Sequence, residues 1–208
     1  REFVDLLNRV RENRVDATGL GMLNRRYVPG FKPSDDEGYI TLTTHNHQAQ
    51  RINDVKMAEL STRAYSFKAE VKDNFPTYSY PTEETLVLKQ GAQVMFVKND
   101  SSPEKRYYNG KTTAINDRSI EVVGKEDGLK IQVTPEEWTN TRYTLDEETR
   151  EITETVEGTF KQYPLKTAWA ITIHKSQGLT FERAIVDANA AFAHGQVYVA
   201  LSRCKTFE

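Results

Sequence analysis

In this chain of 208 residues, 28 lysines and arginines face 30 aspartates and glutamates, a formal charge of −2, so no overall basic field advertises a nucleic-acid partner. Any such ligand must be held locally. The 38% apolar content supports one large domain or two small ones, a single cysteine excludes an intramolecular disulfide, and no apolar run reaches the ~18 residues of a membrane span.

A reducing, cytoplasmic setting is therefore expected, with no membrane partner. The chain opens at Arg1 without a methionine and stops at Glu208 just past an apolar and basic segment, which predicts a fragment of something longer. Phe3, Leu6, Leu7 and Val10 recur at helical spacing and predict an amphipathic helix over the first dozen residues. Ile40 and Leu42 then alternate as in a strand. Thr43, Thr44 and Asn46 follow as a polar loop, leading into a helix whose Ala49, Ile52, Lys56, Met57 and Leu60 share a face, with Thr44 or Asn46 expected as its N-cap. This is half of an α/β unit. Tyr65, Phe67, Ala69 and Val71 alternate as a strand with one buried face.

From about Leu86 short alternating runs follow one another, separated by Gly91, by Asn109-Gly110 and by Gly124 to Gly128, and they predict a small antiparallel barrel or sandwich. Asp146 to Glu157 holds six carboxylates and one arginine, and its Thr and Val alternation predicts a solvated hairpin arm. The run "AWAITI", bounded by a polar turn, predicts a buried parallel strand, "RAIVDA" a second, and "GQVYVALSRC" a helix with Val197, Tyr198 and Leu201 on one face. The predicted organisation is an α/β domain, interrupted by an all-β insertion from about Leu86 to Tyr163, then resumed.

Gly110-Lys111-Thr112 imitates the end of a phosphate-binding P-loop, but Lys105 stands where that motif needs its first glycine, and an Asn-Gly hairpin turn is expected there instead. The chain has no such phosphate cradle of its own. His45, His47 and His194, with Cys204, lack the paired spacing of a zinc site, so no metal site is expected from them.

Two segments carry chemistry. In an open α/β sheet, the loop after a buried strand lies on the ligand-binding edge, which is where "HKSQG" follows "AWAITI". Lys175 can place a charge on a phosphate, His174 and Ser176 can hydrogen-bond backbone oxygens, and Gly178 lets main chain approach closely. A plain Ser-Gln-Gly turn with a solvated lysine fits equally well. Arg203 ends the last helix, where it either bonds the final carbonyls or projects onto a nucleotide held by another domain. By itself the first role is the commoner one.

The blocks "LTTHNHQAQRIN", "LKQGAQVMFVKND", "YPLKTAWAITIHKSQGLTF" and "FAHGQVYVALSRC", in this order, resemble the carboxy-terminal half of superfamily-one DNA helicases, above all the Pif and RecD-like group. The first and last two resemble helicase motifs IV, V and VI. The resemblance implies a RecA-like α/β domain of the P-loop NTPase type, without the P-loop, spanning residues 1–85 and 164–208 and interrupted at 86–163 by a small SH3-like barrel. It implies ATP and Mg2+, bound mainly by an absent amino-terminal RecA-like domain of the same parent, and 5′ to 3′ movement on single-stranded DNA. Carried onto matching positions, Arg203 is an arginine finger, Gly178 and Gln177 line the nucleotide cleft, and Thr44, His45, Asn46, His174, Lys175 and Ser176 follow the DNA. Thr180 stands where many relatives outside the Pif group place a glutamate, so no ribose contact is carried over to it. The acidic arm has no counterpart. The competing expectation is a stand-alone single-strand-binding module without motor activity, whose best patch is Lys98, Lys105, Arg106, Tyr107 and Tyr108.

Overall fold

The structure, a computed structural model, describes residues 2–97, 109–125, 128–146, 150–187 and 195–207. Lys98, Lys105, Arg106, Tyr107, Tyr108 and His194, with part of the acidic segment, lie outside the described residues. The helices are α1 (Glu2–Arg11), α2 (Ala17–Asn24), α3 (Asn46–Glu59) and α4 (Gln196–Leu201). The strands are β1 (Ile40–Thr43), β2 (Ala64–Lys68), β3 (Glu70–Asp73), β4 (Thr85–Lys89), β5 (Gln93–Phe96), β6 (Asn109–Asn116), β7 (Ser119–Gly124), β8 (Lys130–Val133), β9 (Glu136–Leu145), β10 (Ile152–Gln162), β11 (Leu165–Thr167), β12 (Ala170–Thr172) and β13 (Ala184–Val186). They form two compact units, Arg1–Lys56 with Trp169–Glu208, and Met57–Ala168.

In the first unit, three parallel strands lie in the order β12-β1-β13. Ile40 and Leu42 are fully buried, as is almost all of the apolar run from Ala168 to Ile173, so the buried-parallel-strand expectation holds. Helix α1 buries Leu6 and carries Glu2 and Asp5 in its first turn and Arg9 and Arg11 in its last, each charge matched to the helix dipole. Helix α2 was not expected, because Gly19 and Gly21 erase the helical signal of "ATGLGMLN". Asp16 restores it by capping: its carboxylate accepts the Gly19 N–H at 2.7 Å.

In the second unit the ladder order is β11-β5-β6-β7-β8, antiparallel throughout. Among the described residues this ladder is open, with β11 and β8 at its ends. Those end strands are three and four residues long. The single strand expected over Tyr65 to Val71 is two. The Ala69 N–H turns to Glu84 O at 2.7 Å, and the chain changes partner there, β2 pairing with β4 and β3 with β10. A buried amide, Gln162, donates to Phe67 O at 2.8 Å and accepts from the Tyr163 N–H at 2.9 Å.

Phe75, Phe160 and Ala69 form a core cluster, with Tyr80 and Trp138 packed on it. The register shift in β10 between Val156 and Gly158 brings Gly158 against the backbone of Asn74, where an added Cβ would lie 2.4 Å from Asn74 C. Backbone cannot swing aside as a side chain does. Gly158→Ala is expected to cost about 1–3 kcal/mol, measured as a lower urea midpoint at unchanged slope.

On the hairpin side of Gly158, residues 152–156 of β10 and 141–145 of β9 form a two-stranded ribbon, the expected hairpin arm. One of its faces is largely apolar: Leu145 stands opposite Ile152, Tyr143 opposite Glu154 and Val156 opposite Thr141, the four apolar side chains all exposed.

Candidate functional site at the carboxyl edge of the parallel sheet

Strands β1 and β12 end together. Their register pairs Thr43 with Thr172, and the Ile173 N–H extends the pairing to Thr43 O at 2.8 Å. The loop Thr44-His45-Asn46 and the loop His174-Lys175-Ser176 therefore leave the same edge side by side. The end of β13 joins them, since the Asp187 N–H donates to Leu42 O at 2.9 Å.

The start of α3 differs from expectation. Asn46 is already the first helical residue, and the cap position falls to His45, whose carbonyl accepts from Gln48 N–H at 3.2 Å and Ala49 N–H at 3.3 Å. Gln48 reaches back as the third helical residue of a capping box does, its Oε1 accepting the His45 N–H at 3.3 Å and the Thr44 hydroxyl at 3.2 Å. Thr44, nearly buried, also lies 2.8 Å from His45 Nδ1. A hydroxyl has one proton to give. With that proton on Gln48, His45 Nδ1 is left to donate to the Thr44 hydroxyl oxygen. Glutamine at capping-box spacing was the sequence signal for this arrangement, and it was missed.

The second loop opens with a 3-10 turn over His174–Ser176. Ser176 is fully buried, and its hydroxyl donates to Ile173 O at 2.6 Å, so this side chain braces the loop from beneath. His174 and Lys175 are exposed, and their side chains have no partner among the described residues. Gln177 is exposed too. Gly178 has φ +80° with open space where a Cβ would stand, so left-handed backbone, not crowding, demands glycine there.

From Gly178 the chain runs to the last helix. The Phe181 N–H donates to Arg203 O at 2.7 Å and the Lys205 N–H to Phe181 O at 3.1 Å, a short parallel bridge beside α4. Arg203 Nε donates to Val199 O at 3.1 Å, Nη1 to Leu179 O at 3.2 Å and Nη2 to Ser202 Oγ at 3.0 Å. Its guanidinium thus does what a helix-end arginine does, and also clasps the residue after Gly178. Burial pushes the neighbouring Cys204 thiol up, which keeps it protonated and unreactive near neutral pH. Among the described residues no three His, Cys, Asp or Glu side chains converge to hold a metal ion, and no helix is long and apolar enough to cross a membrane.

The sequence-predicted residues thus fall into two linked sets: Thr44, His45 and Asn46 beside His174, Lys175 and Ser176, and Gln177 and Gly178 tied through Leu179 to Arg203. No family model matches the chain. ATP-dependent DNA helicase Pif1 of Campylobacter jejuni is 30% identical over 220 residues, covering 97% of this chain and 48% of that protein. Unliganded Pif1 from Bacteroides sp superposes with a TM-score of 0.88 at 39% identity, over 99% of this chain and 47% of that one. The chain is a homologue of the Pif1 helicases. Bacteroides Pif1 in complex with ADP-AlF3 and ssDNA also matches, with a TM-score of 0.75 at 39% identity, over all of this chain and 47% of that one. The mixed α/β fold is that of the Pif1 structures, and the chain spans about half the length of the Pif1 proteins it matches.

Proposed function

We propose that this chain is the carboxy-terminal motor half of an ATP-dependent DNA helicase, moving 5′ to 3′ by the family resemblance. Its RecA-like domain, placed at 1–85 and 164–208, contains the first unit, and the SH3-like insertion placed at 86–163 lies within the second unit. The observation that carries this reading is the meeting of the two strand-end loops at one sheet edge, with Arg203 clasping the turn at Gly178. The relative solved with ADP-AlF3 and ssDNA supports the same pair of ligands.

In this reading His174, Lys175, His45 and Asn46 meet phosphates of a single strand, and Thr44 and Ser176 hold those loops in shape. Such contacts grip without reading bases. ATP and Mg2+ sit mainly on the amino-terminal RecA-like domain of the same parent, while Gln177, Gly178 and Arg203 close the cleft from this side. To reach a phosphoryl group, the Arg203 guanidinium exchanges its bond to Leu179 O for one to phosphate. That exchange releases the turn next to the DNA-contacting loop, so nucleotide state biases strand contact.

The test uses the 208-residue chain beside the full-length parent. The chain is expected to bind oligo(dT) without hydrolysing ATP, and Lys175→Ala to lower the salt slope of binding by about 0.7, one single-strand phosphate contact. Robust ATP hydrolysis by the chain would refute the domain assignment. Binding that survives Lys175→Ala but is lost on replacing Lys105 and Arg106 would instead make it a stand-alone binding module.

A further inference from the structure

The loop between α2 and β1 holds a feature the motor reading leaves unused. "NRRYVPGFKP" interleaves cations with aromatic rings and contains no acid. Tyr27 is 75% exposed, Val28 58% and Phe31 42%, an unusual concentration of large apolar surface on a short loop.

The loop is built rather than slack. Val28-Pro29-Gly30-Phe31 carries the Pro-Gly signature of a type II turn: Gly30 has φ +71°, and the Phe31 N–H donates to Val28 O at 3.3 Å. The Phe31 ring is held edge-on against Tyr39, centroids 5.2 Å apart, and the Arg183 guanidinium covers Tyr39 at 5.8 Å. Arg26 lies over the Phe207 ring at 5.1 Å. Arg25 and Lys32 are exposed, with no side-chain partner among the described residues.

Two of the three acids that follow the loop, Asp35 and Glu37, are engaged elsewhere. Asp35 is paired with Lys56 at 2.9 Å, and the Glu37 carboxylate closes a capping box on Ser34 and faces Arg183 at 3.9 Å. A local positive, aromatic surface therefore stands on a chain of net charge −2.

We propose that the Arg25 to Lys32 loop is a second contact for single-stranded nucleic acid, with bases stacking on Tyr27 and Phe31 and phosphates meeting Arg25 and Lys32. A held ring at Phe31 and an open one at Tyr27, beside unpaired cations, suit a flexible strand, because every base has a π-face and every linkage a charge. The site is distinct from the carboxyl-edge loops. It precedes Ile40, whose N–H bonds Arg183 O at the amino edge of the same sheet, and the length of β1, ~13 Å, separates that edge from the carboxyl-edge loops.

Fluorescein-labelled oligo(dT) binding to the 208-residue chain tests this, across a salt series, with crosslinking of bromodeoxyuridine-substituted strands. Tyr27→Ala is expected to weaken binding by about 5- to 150-fold, the effect of one stacked base. Arg25→Gln with Lys32→Gln is expected to flatten the salt slope by about 1.4. Adducts on Tyr27 or Phe31 should persist in a Lys175→Ala chain. If they do while adducts near His174 are absent from wild type, the loop site stands and the carboxyl-edge track fails. Unchanged affinity and slope in both loop variants, with no adduct in 25–32, overturns the proposal. So does binding of a poly-glutamate peptide at Tyr27 in place of oligo(dT), which would mark an acidic protein partner.

Discussion

Arg203→Ala in the full-length parent is expected to lower single-strand-stimulated ATP turnover by ~10³-fold or more, with a far smaller change in oligo(dT) affinity through the released turn after Gly178. A loss of that size is about 4 kcal/mol of barrier height. The ground-state contacts act on folding stability, not selectively on barrier height. The side chain makes three hydrogen bonds, to Val199 O, Leu179 O and Ser202 Oγ, each in a half-buried setting and each worth about 0.5–1.5 kcal/mol net. Their loss would show in the melting temperature, not selectively in turnover. Arg203→Lys separates the roles further, since an ammonium keeps the charge but cannot span the three acceptors or meet a phosphoryl group with two parallel bonds. A finger predicts that lysine restores little turnover. Turnover within a few-fold of wild type in Arg203→Ala would leave this residue as a clasp between α4 and the turn after Gly178.

How much of this site was legible beforehand differs residue by residue. The strand-end position of His174 to Gly178 followed from an apolar run meeting a polar turn, and burial of the run from Ala168 to Ile173 bears that out. The cap of α3 was misplaced because Thr and Asn outrank His in cap preference. What decided it was Gln48, a residue further along that reaches back to the His45 N–H. Helix α2 was missed since propensity weighs Gly19 and Gly21 but not the Asp16 carboxylate that holds its first turn. The strand over Tyr65 to Val71 kept its pleat, yet alternation says nothing about which neighbour each half will pair with. Ser176 looked like a ligand-facing hydroxyl. Only packing showed it fully buried, bonded to Ile173 O.

The largest omission is Asn53, which pattern assigned to no face, and Asn53→Leu is expected to cost about 2–6 kcal/mol of stability. On either side of β12, Trp169 O and Ile173 N–H bond to β1, so Ala170 directs both its backbone groups outward from an edge strand. Asn53, on the buried side of α3, supplies the missing neighbour: its Nδ2–H donates to Ala170 O and its Oδ1 accepts the Ala170 N–H, both at 2.9 Å. The amide acts as one residue of a further strand. Leucine has similar bulk but leaves two buried backbone groups unpaired, at about 1–3 kcal/mol each. Because the same pair fixes α3 against β12, the loops at Thr44 and at His174 should loosen together, and oligo(dT) affinity should fall with stability. Asn53→Asp isolates the hydrogen-bond pattern from volume. Protonated, its hydroxyl can donate to Ala170 O while its carbonyl accepts the N–H; ionised, it faces a carbonyl oxygen with a buried charge. Its folded pKa therefore lies above the unfolded value of about 3.9. Stability is then fullest below that pH and is lost as pH rises through the folded pKa. Urea midpoints measured from acidic to neutral pH should fall for Asn53→Asp relative to wild type, and a constant offset between them would assign Asn53 to packing alone.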